Sequence, residues 1–153
     1  MPTEQELVNE FASAIARREG YYDKSKKTIP QRLNNQGDLT SWKQPNGEQY
    51  PSLNGFASFP ACVISGCVNP DHPSEVGFRA LKAQIKINVY KRNLTFLEFF
   101  AGKRGSYDGY APARDKNDPA SYAQDVVSHI NRAFNLSATV GTVVSIIAPR
   151  GTV

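Results

Sequence analysis

Glu19 is the residue of this chain whose type and position best suit acid chemistry. It follows three apolar residues at four-residue intervals, Leu7, Phe11 and Ile15, and residues four apart share one face of a helix. The core-facing side of the first helix therefore ends in a carboxylic acid. A carboxyl group held against apolar neighbours tends to stay protonated near neutral pH, as a general acid must be to protonate a leaving oxygen. The alternative is that Glu19 reaches past the helix end into water.

A second carboxylate candidate is Asp38, in the Asn-rich segment RLNNQGDL. Most of the other acidic residues have simpler roles, since Glu98 and Asp118 suit helix caps and Asp125 lies on the polar side of its helix. Cleavage of a glycosidic bond commonly uses two carboxylates that flank the bond. Asp38 is therefore the predicted partner of Glu19, with a solvated turn residue as the alternative.

The two cysteines, Cys62 and Cys67, are separated by four residues in ACVISGCVNPDHPSE, near Asp71 and His72. A structural zinc site needs four ligands, usually in paired close spacings. The sequence therefore predicts free or disulfide-paired cysteines, no metal site and no cofactor.

The helices that must position these residues have clear boundary signals. Thr3 and Glu6 form a capping box at the start of the first helix, and Gly20 ends it. Apolar periodicity and further caps predict three later helices, at 74–92, 95–102 and 118–134.

The predicted fold class is mainly α, an α+β chain with a long irregular lobe after the first helix and room for a small β-hairpin. Residues 1–153 are expected to form a single domain. Segment 60–73 is expected to be a surface insertion, and 138–153 a C-terminal tail packed on the body.

Composition limits the function classes without choosing one. The 153 residues include 18 Lys and Arg against 14 Asp and Glu, a net charge of +4. Such a surface suits anionic partners. The basic residues look scattered along the chain, so a nucleic-acid partner is not expected. No apolar run reaches the roughly 18 residues of a membrane span, and the start PTEQEL is not a signal peptide.

Four segments resemble, in order, the lysozyme-like peptidoglycan hydrolases carried by bacteriophage virions and prophages. Those enzymes have a helix ending in Glu-Gly, an Asn-Asn-Pro-Gly-Asn-Leu loop, a Gly-x-Ala-x-Phe segment and a Glu-Gly-containing helix start. The corresponding segments here are 15–20, 34–39, 55–59 and 74–81. The resemblance extends over about residues 4–135 and is similar in outline to lytic transglycosylases.

The chain departs from that pattern at several positions. Gln36 stands where the family tends to have Pro, and Asp38 where it tends to have Asn. Phe100 replaces the Asn of a Tyr-Asn-Ala-Gly element, and the segment around 62–72 is extra. None of these changes removes Glu19.

The resemblance implies a lysozyme-like fold and a glycosidase that cleaves the MurNAc-GlcNAc strand of peptidoglycan, with Glu19 as the catalytic acid. In a lytic transglycosylase the same Glu acts as acid and then base, and the muramyl 6-hydroxyl closes an anhydro sugar. In a muramidase water attacks instead, and Asp38 would orient it or stabilise positive charge.

The same resemblance suggests residues that bind the glycan. The amides and backbone of the Asn-rich loop could bond to sugar hydroxyls, and tyrosine rings could pack on sugars or orient Glu19, with core packing as the alternative for each ring. These residues are Asn34, Asn35, Gly37, Tyr21, Tyr110 and Tyr122.

The expected partners are peptidoglycan glycan strands and other virion proteins. The protein is expected to be made in the cytoplasm, to be virion-associated, and to act on the cell wall in the periplasm during penetration or lysis. The alternative is an inactive virion structural protein, a tail or internal component, on the same fold.

Overall fold

The computed structural model is mainly helical, as the sequence predicts. It describes residues 1–20, 37, 39, 43, 49, 52–53, 56–57, 75–113 and 117–153, with 52–53, 56–57 and 75–76 described by their backbone alone. The elements are α1 (Glu4–Arg18), β1 (Ser52–Leu53), β2 (Phe56–Ala57), α2 (Glu75–Lys86), a π-helix (Ile87–Lys91), α3 (Phe96–Ala101), α4 (Pro119–Phe134) and a 3-10 turn (Val144–Ile146).

The chain divides into two compact units that interleave along the sequence. The first unit comprises Met1–Ala14 and Gln84–Val153, and the second comprises Ile15–Ala83.

Helix α1 has the boundaries that its caps predict. The backbone N–H of Glu6 donates to the Thr3 hydroxyl at 3.1 Å, and the Thr3 N–H donates to the Glu6 carboxylate at 2.8 Å. This reciprocal capping box satisfies two N–H groups that a helix start leaves without partners. The predicted stripe of Leu7, Phe11 and Ile15 is fully buried, which anchors the helix by one face.

The predicted helix over 74–92 buries an apolar stripe, but α2 does not continue to its end as an ordinary α-helix. Leu81, Ile85 and Val89 are buried. From Ile87 onward the helix widens into a π-turn, in which the N–H of Arg92 donates to the carbonyl of Ile87 at 3.1 Å. Such turns are rare and occur frequently at functional sites.

An aromatic cluster forms the core of the first unit. Phe11 of α1 contacts three rings of α3, with centroid distances of 5.8 Å to Phe96, 4.7 Å to Phe99 and 6.1 Å to Phe100. All four phenylalanines are fully buried. Large rings bury more apolar area than other side chains, so this cluster holds α3 in place.

The two helices around this core have the predicted caps. Thr95 and Glu98 form a reciprocal capping box at the start of α3. The Asp118 side chain accepts the N–H of Ser121 at 3.1 Å and Pro119 follows it, so α4 begins where the sequence predicts.

Segment 138–153 is tied to the rest of the first unit through backbone hydrogen bonds. Thr142 and Val140 accept from Phe96 and Leu97, and the N–H of Val144 donates to Leu94. Val144 and Ala148 are fully buried.

The second unit contains a small antiparallel hairpin, which the sequence allowed for. Its strands pair Ser52 with Ala57 and Leu53 with Phe56. The predicted insertion 60–73, including both cysteines, lies outside the described residues.

Candidate functional site

Glu19 lies directly after the last residue of α1, and its backbone still belongs to the helical hydrogen-bond pattern. Its N–H donates to the carbonyl of Ile15 at 2.9 Å, and the N–H of Gly20 donates to Arg17 at 3.1 Å. Gly20 has φ = 82°, the left-handed conformation in which glycine ends helices. The Glu19 residue is half-buried. It is therefore neither sealed in the core nor fully solvated, and it directly follows a face that is fully buried at Ile15.

The last turn of α1 also carries two cations, Arg17 and Arg18, and both are exposed. Positive charge at a helix C-terminus complements the helix dipole. It also places guanidinium groups within two residues of the Glu19 carboxyl group along the chain.

The Asn-rich loop is described at only two of its positions. Gly37 is buried, and Leu39 is 8 % exposed. Four predicted site residues lie outside the described residues: Tyr21, Asn34, Asn35 and Asp38.

The structure brings Tyr110 and Tyr122 together, within the first unit. Their ring centroids are 6.4 Å apart in an edge-to-face arrangement. Tyr122 is 4 % exposed and stacks on Phe100 at 4.3 Å. Tyr110 is half-buried and also contacts Phe100, at 6.1 Å. The Tyr122 ring is therefore part of the aromatic core. Core packing is the alternative to sugar binding that the sequence analysis left open for this ring.

A polar network that the sequence did not predict lies beside the π-turn. Asn88 is fully buried, yet it donates from Nδ2 to the Tyr107 hydroxyl at 3.2 Å and accepts the Arg92 Nε–H at 3.0 Å. Tyr107 in turn donates to the carbonyl of Phe99 at 3.0 Å. The Arg92 guanidinium lies over the Tyr107 ring, 5.1 Å from its centroid. A buried amide is tolerated only when its hydrogen bonds are made, and here both ends are used.

Burial keeps the Tyr107 hydroxyl neutral. It raises the pKa of that hydroxyl above the usual value of 10.0, and the charge of Asp108 acts in the same direction, whereas Arg92 and the Asn88 hydrogen bond oppose the shift. The neutral hydroxyl can donate to Phe99 while it accepts from Asn88.

The structure also corrects the expectation that basic residues are scattered. Two Lys-Arg pairs lie on either side of the segment that contains α3, Lys91-Arg92 before it and Lys103-Arg104 after it. All four side chains line one open cavity of about 620 Å³. The repeated Lys-Arg dipeptide is the sequence signal that could have revealed this cluster, once the helix between the pairs was known to be short.

One further polar contact joins two helices of the first unit. The His129 Nε2 atom lies 2.7 Å from a carboxylate oxygen of Glu10. The His129 side chain is half-buried, and apolar periodicity alone does not identify its partner on α1.

In comparisons with known proteins, no protein-family model, curated protein or solved structure matches the chain. Within the described residues, no helix is long and apolar enough to cross a membrane. The same residues contain no group of three or more His, Cys, Asp or Glu side chains arranged to hold a metal ion.

Proposed function

We propose that this protein is a glycosidase that cleaves the glycan strand of peptidoglycan, with Glu19 as its catalytic acid. One observation carries the proposal: a half-buried carboxylic acid directly follows the fully buried stripe of an amphipathic helix and precedes a left-handed glycine. Partial burial leaves the Glu19 side chain a surface from which it can reach a substrate. The resemblance of segments 15–20 and 34–39 to phage peptidoglycan hydrolases supports the choice of substrate.

The chemistry requires one proton transfer to the leaving group. Glu19 donates its proton to the glycosidic oxygen as the bond from that oxygen to the anomeric carbon breaks. The carboxylate that remains then accepts a proton from the incoming nucleophile. If that nucleophile is the muramyl 6-hydroxyl, the product is an anhydro sugar; if it is water, the product is a reducing end.

The test is the loss of turbidity of purified peptidoglycan sacculi with wild type and Glu19→Gln. Glutamine keeps the shape of the side chain and removes the acid. We expect the rate to fall by at least about a hundredfold, the usual contribution of a general acid. Glu10→Gln is the matched control, because it makes the same substitution on the same helix, and it should clear sacculi at the wild-type rate.

Mass spectrometry of the released fragments then separates the two mechanisms. Anhydro ends would support a lytic transglycosylase, in which Asp38→Asn keeps its activity. Reducing ends would support a muramidase, in which Asp38→Asn loses activity. If folded wild-type protein clears no sacculi, the glycosidase proposal is rejected and an inactive structural protein becomes the better explanation.

A further inference from the structure

Three cavities of about 790, 620 and 410 Å³ adjoin one another on the surface of the first unit. Neighbouring cavities share lining residues: the first and second share Arg92, Lys103 and Arg104, and the second and third share Ile87 and Lys91. We name this the basic groove. Its walls carry six cations: Lys86, Lys91, Arg92, Lys103, Arg104 and Arg150.

Negative charge in the basic groove balances only a small part of the positive charge of these six cations. Two carboxylates line it, Glu4 and Asp108. Glu4 lies 3.9 Å from Lys86 and accepts the N–H of Gly151 at 2.6 Å. Within the described part of the chain, neither Lys-Arg pair forms an ion pair. A groove lined with uncompensated charge of one sign concentrates ligands of the opposite sign.

Arg92 is held in position before any ligand arrives. Its Nε is bonded to buried Asn88, and its guanidinium plane lies over Tyr107. Among the described residues, neither of its terminal Nη groups has a partner. A fixed guanidinium fork binds an oxyanion with two parallel hydrogen bonds, and less side-chain freedom is lost on binding.

The loop after α3 offers backbone donors beside this fork. The carbonyl of Lys103 accepts from both Ser106 and Tyr107, and Lys103 donates back to Tyr107 at 2.8 Å. The N–H groups at the tip, on Arg104 and Gly105, have no partner among the described residues. Nothing lies within 4 Å of where a side chain would begin on Gly105, so an anion can approach the backbone closely.

The shape and lining of the groove favour a linear polymer without bases. Three cavities in a row suit a chain better than a small ion. Single-stranded nucleic acid needs exposed aromatic faces on which bases stack. The described aromatic residues of the groove are Tyr107, which has one face covered by Arg92, and Tyr90, which is tied through its hydroxyl to the Ala148 carbonyl at 2.6 Å.

We propose that the basic groove binds a linear polyol phosphate, the class of anionic polymer found in bacterial cell walls. Phosphodiester groups along the polymer occupy the Lys-Arg pairs and the tip of the loop at 103–107. The site does not use Glu19, so the enzyme could fail the sacculus test and still bind the polymer. The choice of a cell-wall polymer rests on the proposed function, and an active enzyme whose groove binds no polymer would contradict this inference alone.

The probe is poly(glycerol phosphate), added to isotopically labelled protein and followed by amide NMR. We expect the Gly105 and Ser106 amides to shift most. In Lys103→Gln/Arg104→Gln, affinity at low salt should fall by on the order of tenfold, and the slope of log affinity against log salt should fall by about 2. Arg79→Gln/Arg132→Gln removes the same charge from exposed positions elsewhere and should bind like wild type.

Each other result overturns the proposal. Equal weakening in the two double variants would mean that only net charge matters. Tighter binding of a single-stranded oligodeoxynucleotide of equal charge would assign the groove to nucleic acid. Shifts confined to residues outside the groove would place the ligand elsewhere.

Discussion

Two helix ends in this molecule carry charged side chains that could act on a ligand, and they are built in opposite ways. At the end of α1, the Glu19 N–H makes an ordinary helical hydrogen bond to Ile15, and the left-handed Gly20 then ends the helix. At the end of the helix that contains α2, a π-turn replaces the ordinary pattern, and a buried Asn88 fixes Arg92. The first end is an ordinary helix terminus with a left-handed glycine, whereas the second is an irregular turn tied by Asn88 to the loop that contains Tyr107.

The difference shows what kind of support each charge needs. An acid that must give and take a proton can tolerate a partly open position at a helix end. A guanidinium that must present a fixed fork needs partners on more than one side, and Arg92 has an amide and a ring.

The largest expected loss of stability is for a substitution in the loop that supports Arg92. A methyl group added at Gly109 would lie 2.6 Å from the Phe100 carbonyl oxygen, and Gly109 has φ = 99°. Gly109→Ala should therefore lower the free energy of unfolding by about 3 kcal/mol, from overpacking and from a left-handed backbone. Gly105→Ala is the matched control, since it has a similar φ and open space; it should lose only about 1 kcal/mol in urea unfolding. Equal losses would show that the loop is not tightly packed.

The next prediction compares the loss of stability at the two helix ends directly. Asn88→Ala removes two hydrogen bonds and leaves the Tyr107 hydroxyl and the Arg92 Nε–H without their partner, so we expect a loss of about 2 kcal/mol. Glu19→Gln changes a half-buried carboxyl group to an amide of the same shape, so we expect a smaller loss, below about 1 kcal/mol. Urea unfolding of both variants checks the contrast. Comparable losses would mean that both ends depend on side-chain networks.

The same contrast explains which parts of the fold and of the candidate site could be predicted from the sequence. The caps at Thr3, Thr95 and Asp118 were predictable, because each depends on residues three apart. The stripe that ends at Glu19 was predictable as well, because it depends on residues four apart. The partners of Asn88 were not, because Tyr107 is 19 residues away and a π-turn breaks the period on which sequence reading depends.

A smaller difference in stability is expected between two helix caps of the same chemistry. The Thr95 capping box is partly buried, whereas the Thr3 box is exposed. Thr95→Ala should cost about 1 kcal/mol, within the usual range for a lost N-cap. Thr3→Ala should cost less, because water can replace the lost bond. Thermal unfolding of the two variants under the same conditions measures the difference, and a larger loss for Thr3→Ala would contradict this ranking.

The smallest effect is a pH dependence beside the π-turn. Burial, and then the charge of Glu4, raises the pKa of Tyr90 from 10.0 to about 12. Below pH 10 both folded and unfolded states keep this proton, so the full stability is present. Between about pH 10 and 12 the unfolded state loses the proton and the folded state keeps it, so stability falls as pH rises.

Tyr90→Phe should therefore flatten the alkaline part of the stability curve. It also removes the hydrogen bond to Ala148, so the slope with pH, rather than the absolute stability, is the quantity to compare. Urea midpoints at about pH 9 and pH 11 give that slope. An unchanged slope in the variant would assign the alkaline loss to other groups.

The π-turn at Ile87–Lys91 also has a consequence for insertions and deletions. A bond from residue 92 to residue 87 encloses one residue more than an α-helical turn does. Five residues of the wider turn take the place of four residues of an α-helical turn, so deleting one of them would restore the α-helix and leave the two flanking segments facing nearly as they do now. Deleting one residue elsewhere in the helix would instead rotate the flanking segments by about 100° relative to one another. The π-turn is therefore the place in this helix where the loss of one residue should least disturb the buried stripe and the Lys-Arg pair.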